Sequence, residues 1–247
     1  MRITRILMGM PITVEIVGAV DATTHEAVFA YFASVDRRFS TYRDDSEIAD
    51  INGGRITETA YSDEMRVVLA LAERTRRETD GYFDIRRPGG GIDPSGIVKG
   101  WAIRNAAAII AAAGHTNYFV DASGDIQSAG VNSHGAPWRV GIRNPFNDAE
   151  IVKIVTPRGR GIATSGTSAR GQHIYNPHAA GDLEEIVSLT VIANDVLEAD
   201  RFATAAFAMG RDGIGFIEQT PGLEGYAIDR DRRATLSSGF AACCPPC

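Results

Sequence analysis

The sequence ADRFAT places Asp200 and Thr204 four residues apart inside an apolar segment. Val196 and Phe207 recur around them at the spacing of one helical face, and Asp200 falls within that face. A buried, uncompensated charge costs several kcal/mol, so this carboxylate needs a metal, a cation or several hydrogen-bond donors. Two oxygen ligands one helical turn apart suit a hard cation such as Mg2+. The alternative is structural, with Asp200 bonded to a neighbouring loop and Thr204 to its own backbone.

A second stretch combines glycine with charge. The glycine-rich residues 89–91 lead into a helix that begins near Ser95 and contains Lys99. Free N–H groups and the helix dipole at such an N-terminus favour a phosphate, and Lys99 could add a positive charge. The stretch lacks the Gly-Lys-Ser/Thr ending of a P-loop, so it is not one. A capped helix after a turn remains the alternative.

A third stretch has Thr164 and Ser165, then His173 shortly before the turn at Asn176 and Pro177. Glycine beside polar groups is typical of loops where the backbone approaches a ligand closely. A single histidine on a loop is more often a structural hydrogen-bond partner than a base. This stretch alone therefore assigns no general base.

Composition limits the classes of partner. The chain has 247 residues, 44% of them hydrophobic, and a net charge of −6. That charge argues against nucleic acid or an acidic membrane surface as the main partner. No apolar run approaches the ~20 residues that cross a bilayer. The N-terminus runs directly into an alternating strand pattern without a signal-peptide core, so we expect a cytoplasmic protein, or a periplasmic one if a leader was removed.

All three cysteines lie at the C-terminus, at Cys243, Cys244 and Cys247. The rest of the chain therefore has no disulfide framework, which agrees with a reducing compartment. Three thiolates fall short of the four ligands of a structural zinc site, and Pro245 and Pro246 do not fit a prenylation box. We expect residues 241–247 to form a flexible tail.

The pattern of elements predicts an α+β fold of mostly antiparallel strands with packed helices, in a single domain over residues 1–240. Strands and helices come in groups with hairpin-like spacing and without strict alternation. The expected strands cover residues 12–17, 118–122, 138–142, 151–155, 187–193 and 226–228. The expected helices cover residues 24–38, 62–79, 95–113, 194–210 and 214–219.

Nine short motifs occur in the order of one known family. They are Met8-Gly9, Phe39 to Arg43 with Ser46 to Ile48 and Asn52, Thr79 to Ile85, Asp93 to Gly100, Ser123 to Ile126, Trp138 to Ile142 with Pro145, Ala163 to Gly166, His173 to Pro177, and Ala199 to Thr204. The chain thereby resembles the FAD:protein FMN transferase family, also called the ApbE family and formerly described as a thiamin biosynthesis lipoprotein.

The resemblance implies an enzyme that transfers FMN from FAD to a threonine hydroxyl of a partner flavoprotein and releases AMP. The family pattern implies Mg2+ ligands at Asp200, Thr204 and the backbone carbonyl of Gly96, and a general base at His173. It implies FAD contacts at Met8, Tyr42, Tyr82, Phe83, Asp84, Asp93, Lys99, Thr164, Ser165 and Ile174. This agrees with phosphoryl transfer, which needs neutralised phosphate charge and an in-line hydroxyl.

The chain departs from the family pattern at three places. Met10 stands where the family usually has Thr, Asn176 stands where it usually has Asp, and the insert before His173 is shorter. The chain also lacks the lipid-bearing cysteine near the start of many relatives, so we expect a compact soluble member. Two alternatives stay open: an FAD pyrophosphatase that uses water in place of threonine, and a protein that binds FAD without cleaving it.

Overall fold

The structure is a computed structural model that describes residues 1–19, 22–87, 89–166, 176–178 and 185–245. His173 and Ile174 lie outside these ranges. The described strands are β1 Arg2–Leu7, β2 Met10–Ile16, β3 Tyr118–Ala122, β4 Asp125–Ala129, β5 Val140–Asn144, β6 Asn147–Val155, β7 Gly161–Gly166, β8 Ile186–Ala193, β9 Glu224–Asp229 and β10 Ala234–Leu236. The helices are α1 Ala22–Phe39, α2 Glu47–Asn52, α3 Asp63–Glu78, α4 Ser95–Ala112, α5 Val196–Ala208 and α6 Gly213–Gln219.

Eight of these strands form one antiparallel sheet in the order β1-β2-β3-β4-β7-β8-β9-β10. β5 and β6 form a separate antiparallel hairpin between β4 and β7 along the chain. Its apolar side chains Val140, Ile142 and Val155 pack with Ile126 and Ile162 of the large sheet. The hairpin thus covers the middle of the sheet without joining its hydrogen-bond ladder.

Helices α1 and α4 pack together, and α4 also contacts β3, because both helices present an apolar stripe. Phe29 and Phe32 of α1 and Ile103 of α4 join Ile12 and Val14 of β2 in one buried cluster. Helix α5 packs on β7 and β8 through a second cluster that includes Ala203 and Phe207. None of the helices in the described ranges is both long and apolar enough to span a membrane.

Two glycines allow α4 and α5 to approach closely. A Cβ atom on Gly100 would lie 2.7 Å from Asp200 Cβ and 2.8 Å from the Val196 carbonyl oxygen. A Cβ atom on Gly96 would lie 3.2 Å from Thr204 Cγ2. Gly96 and Gly100, one turn apart on α4, therefore face Thr204 and Asp200, one turn apart on α5. This contact between the two helices fixes the positions of Asp200 and Thr204.

The ends and outer face of α5 are also fixed. The Asp195 side chain caps its N-terminus by accepting from the Glu198 amide at 2.9 Å. The Val196 amide donates to the Gln127 side chain of β4 at 2.9 Å. Arg201, 3% exposed, pairs with both Glu78 of α3 and Glu198. A charge buried in this way would be costly without those two carboxylates.

The α+β class with mostly antiparallel strands is confirmed. The sequence did not predict five of the described helices and strands, namely α2, β1, β4, β7 and β10. In β4 the residues from Asp125 to Ser128 are all buried although three of the four are polar, so no period-2 pattern could reveal this strand. The predicted strand over 138–142 begins at Val140 instead, because Trp138 precedes the pairing with β6.

The start of the C-terminal tail differs from the expected flexible segment. Phe240–Cys243 form a short 3-10 turn, in which Phe240 is fully buried and Cys243 nearly so. The Cys243 carbonyl accepts from the Thr156 amide at 2.7 Å, so apolar packing and one backbone bond hold this turn. Cys243 and Cys244 are free thiols. Residues 246 and 247 lie outside the described ranges, and the domain boundary at 240 stays a prediction.

Candidate active site

A cleft of about 1070 Å3 opens between the hairpin and the end of the large sheet. Its walls come from the N-terminal turns of α4, the middle of α5, the segment before α4, the end of β7, and the β5–β6 hairpin. Its lining includes Tyr82, Phe83, Asp84, Asp93, Gly96, Lys99, Thr164, Ser165, Asp200 and Thr204. Ten of the fourteen residues that the sequence assigned to the site are thus brought together.

The facing turns of α4 and α5 form one corner of this cleft. Asp200 is 3% exposed, and its Oδ2 accepts from the Gly100 amide at 2.7 Å. In a regular helix the Gly100 amide is the donor to the Gly96 carbonyl. Because this amide also serves Asp200, the Gly96 carbonyl has capacity for a further partner, with Thr204 packed against its Cα. The three residues assigned to Mg2+ therefore share one corner.

Lys99 lies between two buried carboxylates. Its Nζ is 2.5 Å from Asp125 Oδ2 and 3.9 Å from Asp200 Oδ1. Burial raises the pKa of the Asp200 carboxyl, and the Asp125 charge raises it further, whereas the Lys99 charge and the Gly100 amide oppose the increase. Two carboxylates and one ammonium carry a net charge of −1 when ionised, so an added cation would be favourable.

The donor set of this corner fits a magnesium ion. It consists of one carboxylate, one hydroxyl and one backbone carbonyl, all of them hard oxygen ligands. Among the described residues no group of three or more His, Cys, Asp or Glu side chains could hold a metal. Such a sparse site suits Mg2+, which usually takes its other ligands from water and substrate phosphates. It does not suit zinc, which prefers closed sets of nitrogen and sulfur ligands.

The segment before α4 is held in place by its own hydrogen bonds. The Phe83 amide donates to Thr79 Oγ1 at 3.1 Å, and Phe83 is buried. Asp93 Oδ1 accepts from the Ser95 amide at 3.1 Å, and its Oδ2 pairs with Arg87 at 2.8 Å. Asp93 therefore closes the turn that leads into α4 and is paired with Arg87.

The opposite wall is the end of β7. The Thr164 amide donates to Asp125 Oδ1 at 3.0 Å, and the Thr164 hydroxyl bonds to the Thr190 hydroxyl of β8 at 2.8 Å. Ser165 follows at the rim and is 7% exposed. These bonds fix the wall opposite α4, so that Thr164 and Ser165 can meet a ligand without rearrangement.

Two assigned residues are not part of the described lining. Tyr42 is 97% exposed after α1, and Met8 lies in the turn between β1 and β2 with φ of 53°. His173 and Ile174 lie outside the described residues. Gly166 and Pro177, the described residues that flank their segment, both line the cleft. His178 packs edge-on against Tyr82 with ring centroids 4.6 Å apart, and its Nε2 lies 2.8 Å from the Asp80 carbonyl oxygen.

The sequence interpretation gave no role to several residues of the site. Asp125 belongs to a matched motif, and its place directly after a glycine turn is a signal that could have marked it as a site residue. No local feature of the sequence indicates that its carboxylate reaches Lys99. Arg139 and Arg143 flank the β5 edge of the cleft. Only the hairpin's packing on the sheet brings these arginines to the site.

The chain matches the model of the ApbE family over residues 8–86 and 86–227, and it belongs to that family.

Relatives named FAD:protein FMN transferase occur in several bacteria. The one from Vibrio cholerae is 34% identical over 162 residues, covering 60% of this chain and 48% of the relative. The one from Escherichia coli K12 is 31% identical over 150 residues, covering 57% of this chain and 43% of the relative. The chain thus spans about half the length of these relatives. A Haemophilus influenzae relative is 24% identical, covering 91% of this chain and 84% of its own length.

Solved structures share the fold. The flavin transferase ApbE from Vibrio cholerae has a TM-score of 0.85 at 24% identity, covering 98% of both chains. The ApbE protein from Thermotoga maritima has a TM-score of 0.87 at 21% identity, covering 100% of this chain and 99% of that chain. The large sheet and the helices packed on it are therefore the family's fold.

Proposed function

We propose that this protein is an FAD:protein FMN transferase that moves FMN from FAD to a threonine hydroxyl of a flavoprotein and releases AMP. The observation that carries the proposal is the corner of the cleft where Lys99, Asp200, Thr204 and Gly96 converge. Family membership and the names of the relatives support the substrate class. The volume of the cleft, about 1070 Å3, lies at the upper end for a small-molecule pocket and suits a dinucleotide.

In the proposed reaction the threonine oxygen attacks the phosphorus on the FMN side of the FAD pyrophosphate. The bond from that phosphorus to the bridging oxygen breaks, AMP departs with the bridging oxygen, and the hydroxyl proton passes to a base. Mg2+ held by Asp200, Thr204 and the Gly96 carbonyl would supply charge neutralisation for the pyrophosphate.

The chain's own groups would bind and orient FAD. Lys99, in the second turn of α4, would place its ammonium beside the pyrophosphate, where the helix N-terminus also favours negative charge. Tyr82 and Phe83 supply apolar surface, and Asp84 and Asp93 border it. Thr164 and Ser165 would contact FAD from the opposite wall. Ile174, Met8 and Tyr42 remain proposed contacts on the family pattern alone.

His173 is the proposed general base. Its support is the family pattern and the position of Gly166 and Pro177 at the cleft. The unperturbed pKa of histidine, about 6.5, suits proton transfer near neutral pH. His178 is the weaker alternative, because its Nε2 already lies within hydrogen-bond distance of the Asp80 carbonyl. A cytoplasmic location also stays a prediction.

The test is incubation with FAD and Mg2+, with and without the apo form of a flavoprotein subunit known to carry FMN on threonine. We expect AMP and a flavin-labelled subunit in equal amounts, and neither product when that threonine is changed to Val. Release of AMP without labelling would identify a pyrophosphatase, and FAD binding without AMP would identify a binding protein.

Asp200→Asn is the matched variant for this assay. It keeps the shape and the acceptor for the Gly100 amide but removes the charge that a hard cation requires. We expect this variant to fold normally and to release no AMP at limiting Mg2+. Normal turnover by the variant would refute the assignment of Asp200.

A further inference from the structure

Three separate elements bring charged groups together at the wall of the cleft. Asp125 is the first residue of β4, Lys99 lies on α4 and Asp200 on α5. The Lys99 ammonium is 2.5 Å from Asp125 Oδ2 but 3.9 Å from Asp200 Oδ1, so its closer partner is Asp125. Asp125 is 1% exposed and is not among the described residues that line the cleft. It therefore acts on the site from behind the lining, through Lys99 and through Asp200, on which its charge also acts.

The carboxylates of Asp125 and Asp200 differ in which of their oxygen atoms already have a partner. Asp200 Oδ2 is taken by the Gly100 amide at 2.7 Å, which leaves Oδ1, the oxygen on the Lys99 side, for another partner. A lysine in direct contact with Oδ1 would compete with any cation for the same oxygen. In the structure the ammonium lies closer to Asp125 than to Oδ1 of Asp200.

Asp125 is itself firmly held. Its Oδ1 accepts from the Thr164 amide at 3.0 Å, and its backbone pairs with Ala122 of β3. The next residue, Ile126, pairs with Ile162 of β7. Because β4 lies between two strands, Asp125 cannot follow Lys99 if the lysine moves towards Asp200.

We propose that Asp125 is a positioning residue that holds the Lys99 ammonium away from Asp200 and so reserves Asp200 Oδ1 for the cation. The inference rests on the proposed function, because it assumes that Asp200 binds a metal. It adds that cation affinity depends on a carboxylate that does not itself touch the cation.

The test is a double-mutant cycle read out by Mn2+ binding in solution, followed by electron paramagnetic resonance without FAD. The four proteins are the wild type, Asp125→Asn, Lys99→Met and the double variant. Asn keeps an acceptor for the Thr164 amide, so the strand contact survives. Asp231→Asn, in the exposed turn after β9, is the control for loss of one negative charge.

In the protein that retains Lys99, we expect Asp125→Asn to weaken Mn2+ binding about tenfold. A change of this size is usual for the interaction free energy of two residues in contact. In the Lys99→Met background the same change should weaken it by less than about threefold, because no ammonium remains to compete for Asp200. The Asp231→Asn control should bind as the wild type does. Thermal unfolding of each variant identifies any loss of fold.

Equal weakening in both backgrounds would mean that Asp125 acts by its own charge, and it would overturn the inference. Unchanged binding in Asp125→Asn would do the same. If the wild type itself bound no Mn2+ at millimolar concentration, the proposed cation site would fail and the inference with it. The first two outcomes leave the proposed function intact, so the two failures are distinguishable.

Discussion

Replacing Gly100 with Ala tests the close contact that places Asp200 in the cleft. The added methyl would lie 2.7 Å from Asp200 Cβ and 2.8 Å from the Val196 carbonyl oxygen. Both are fixed atoms of α5, so the helices must separate by several tenths of an ångström. Overpacking of this kind costs about 1–3 kcal/mol. Ala is favoured over Gly in a helix interior by ~1 kcal/mol, which offsets part of that cost.

Gly215→Ala is the matched control, because an added Cβ there has nothing within 4 Å and Gly215 also lies in a helix. The helix-propensity gain is similar in both variants and cancels in the comparison. Gly100→Ala should therefore be less stable than Gly215→Ala by about 1–3 kcal/mol. For a chain of this size that is roughly 2–4 °C in Tm for each kcal/mol.

The assay is thermal and urea unfolding of both variants, with AMP release measured on the same preparations. Gly100→Ala should also release AMP more slowly at limiting Mg2+, because Asp200 moves with α5, whereas Gly215→Ala should keep the wild-type rate. Equal stability of the two variants, with equal rates, would refute the tight contact between α4 and α5.

Three further predictions concern single side chains. Lys99→Ala should weaken FAD binding by roughly 1–3 kcal/mol, the range for a charged hydrogen bond, and an unchanged titration would place Lys99 outside the FAD contact. His173→Ala should bind FAD and Mg2+ but transfer FMN at least ~100-fold more slowly, with the acidic limb of the pH–rate profile lost; an unchanged limb would exclude it as the base. His25 is fully buried, and burial lowers its pKa, so the folded protein keeps the ring neutral while the unfolded chain protonates it. Stability should therefore fall as pH drops below about 6.5, and His25→Gln should reduce that fall in urea titrations at two pH values.

The sequence by itself determined the class of fold and much of the site. Helical periodicity identified α5 and an alanine-rich composition identified α4, and the strand predicted over 118–122 matches β3 at both ends. An aspartate within an apolar helical face could be read as buried from local spacing alone, and Asp200 is indeed 3% exposed. The ordered motifs indicated the family, to which the chain belongs. These inferences succeed because they depend on residues close together in the chain.

Only the tertiary structure decided which distant residues meet. The pairing of β4 with β7 places Asp125 beside Thr164, and the contact of α4 with α5 places Gly100 against Asp200. β4 is buried from Asp125 to Ser128 and mostly polar there, so it had no period that could identify it. Its carboxylate could therefore not be connected with Lys99. The periodicity of apolar side chains along a helix or strand indicates which face of that element is buried. It does not indicate which other element covers that face. The environment of Asp200 therefore depends on strand order and helix packing, which act between residues far apart in sequence.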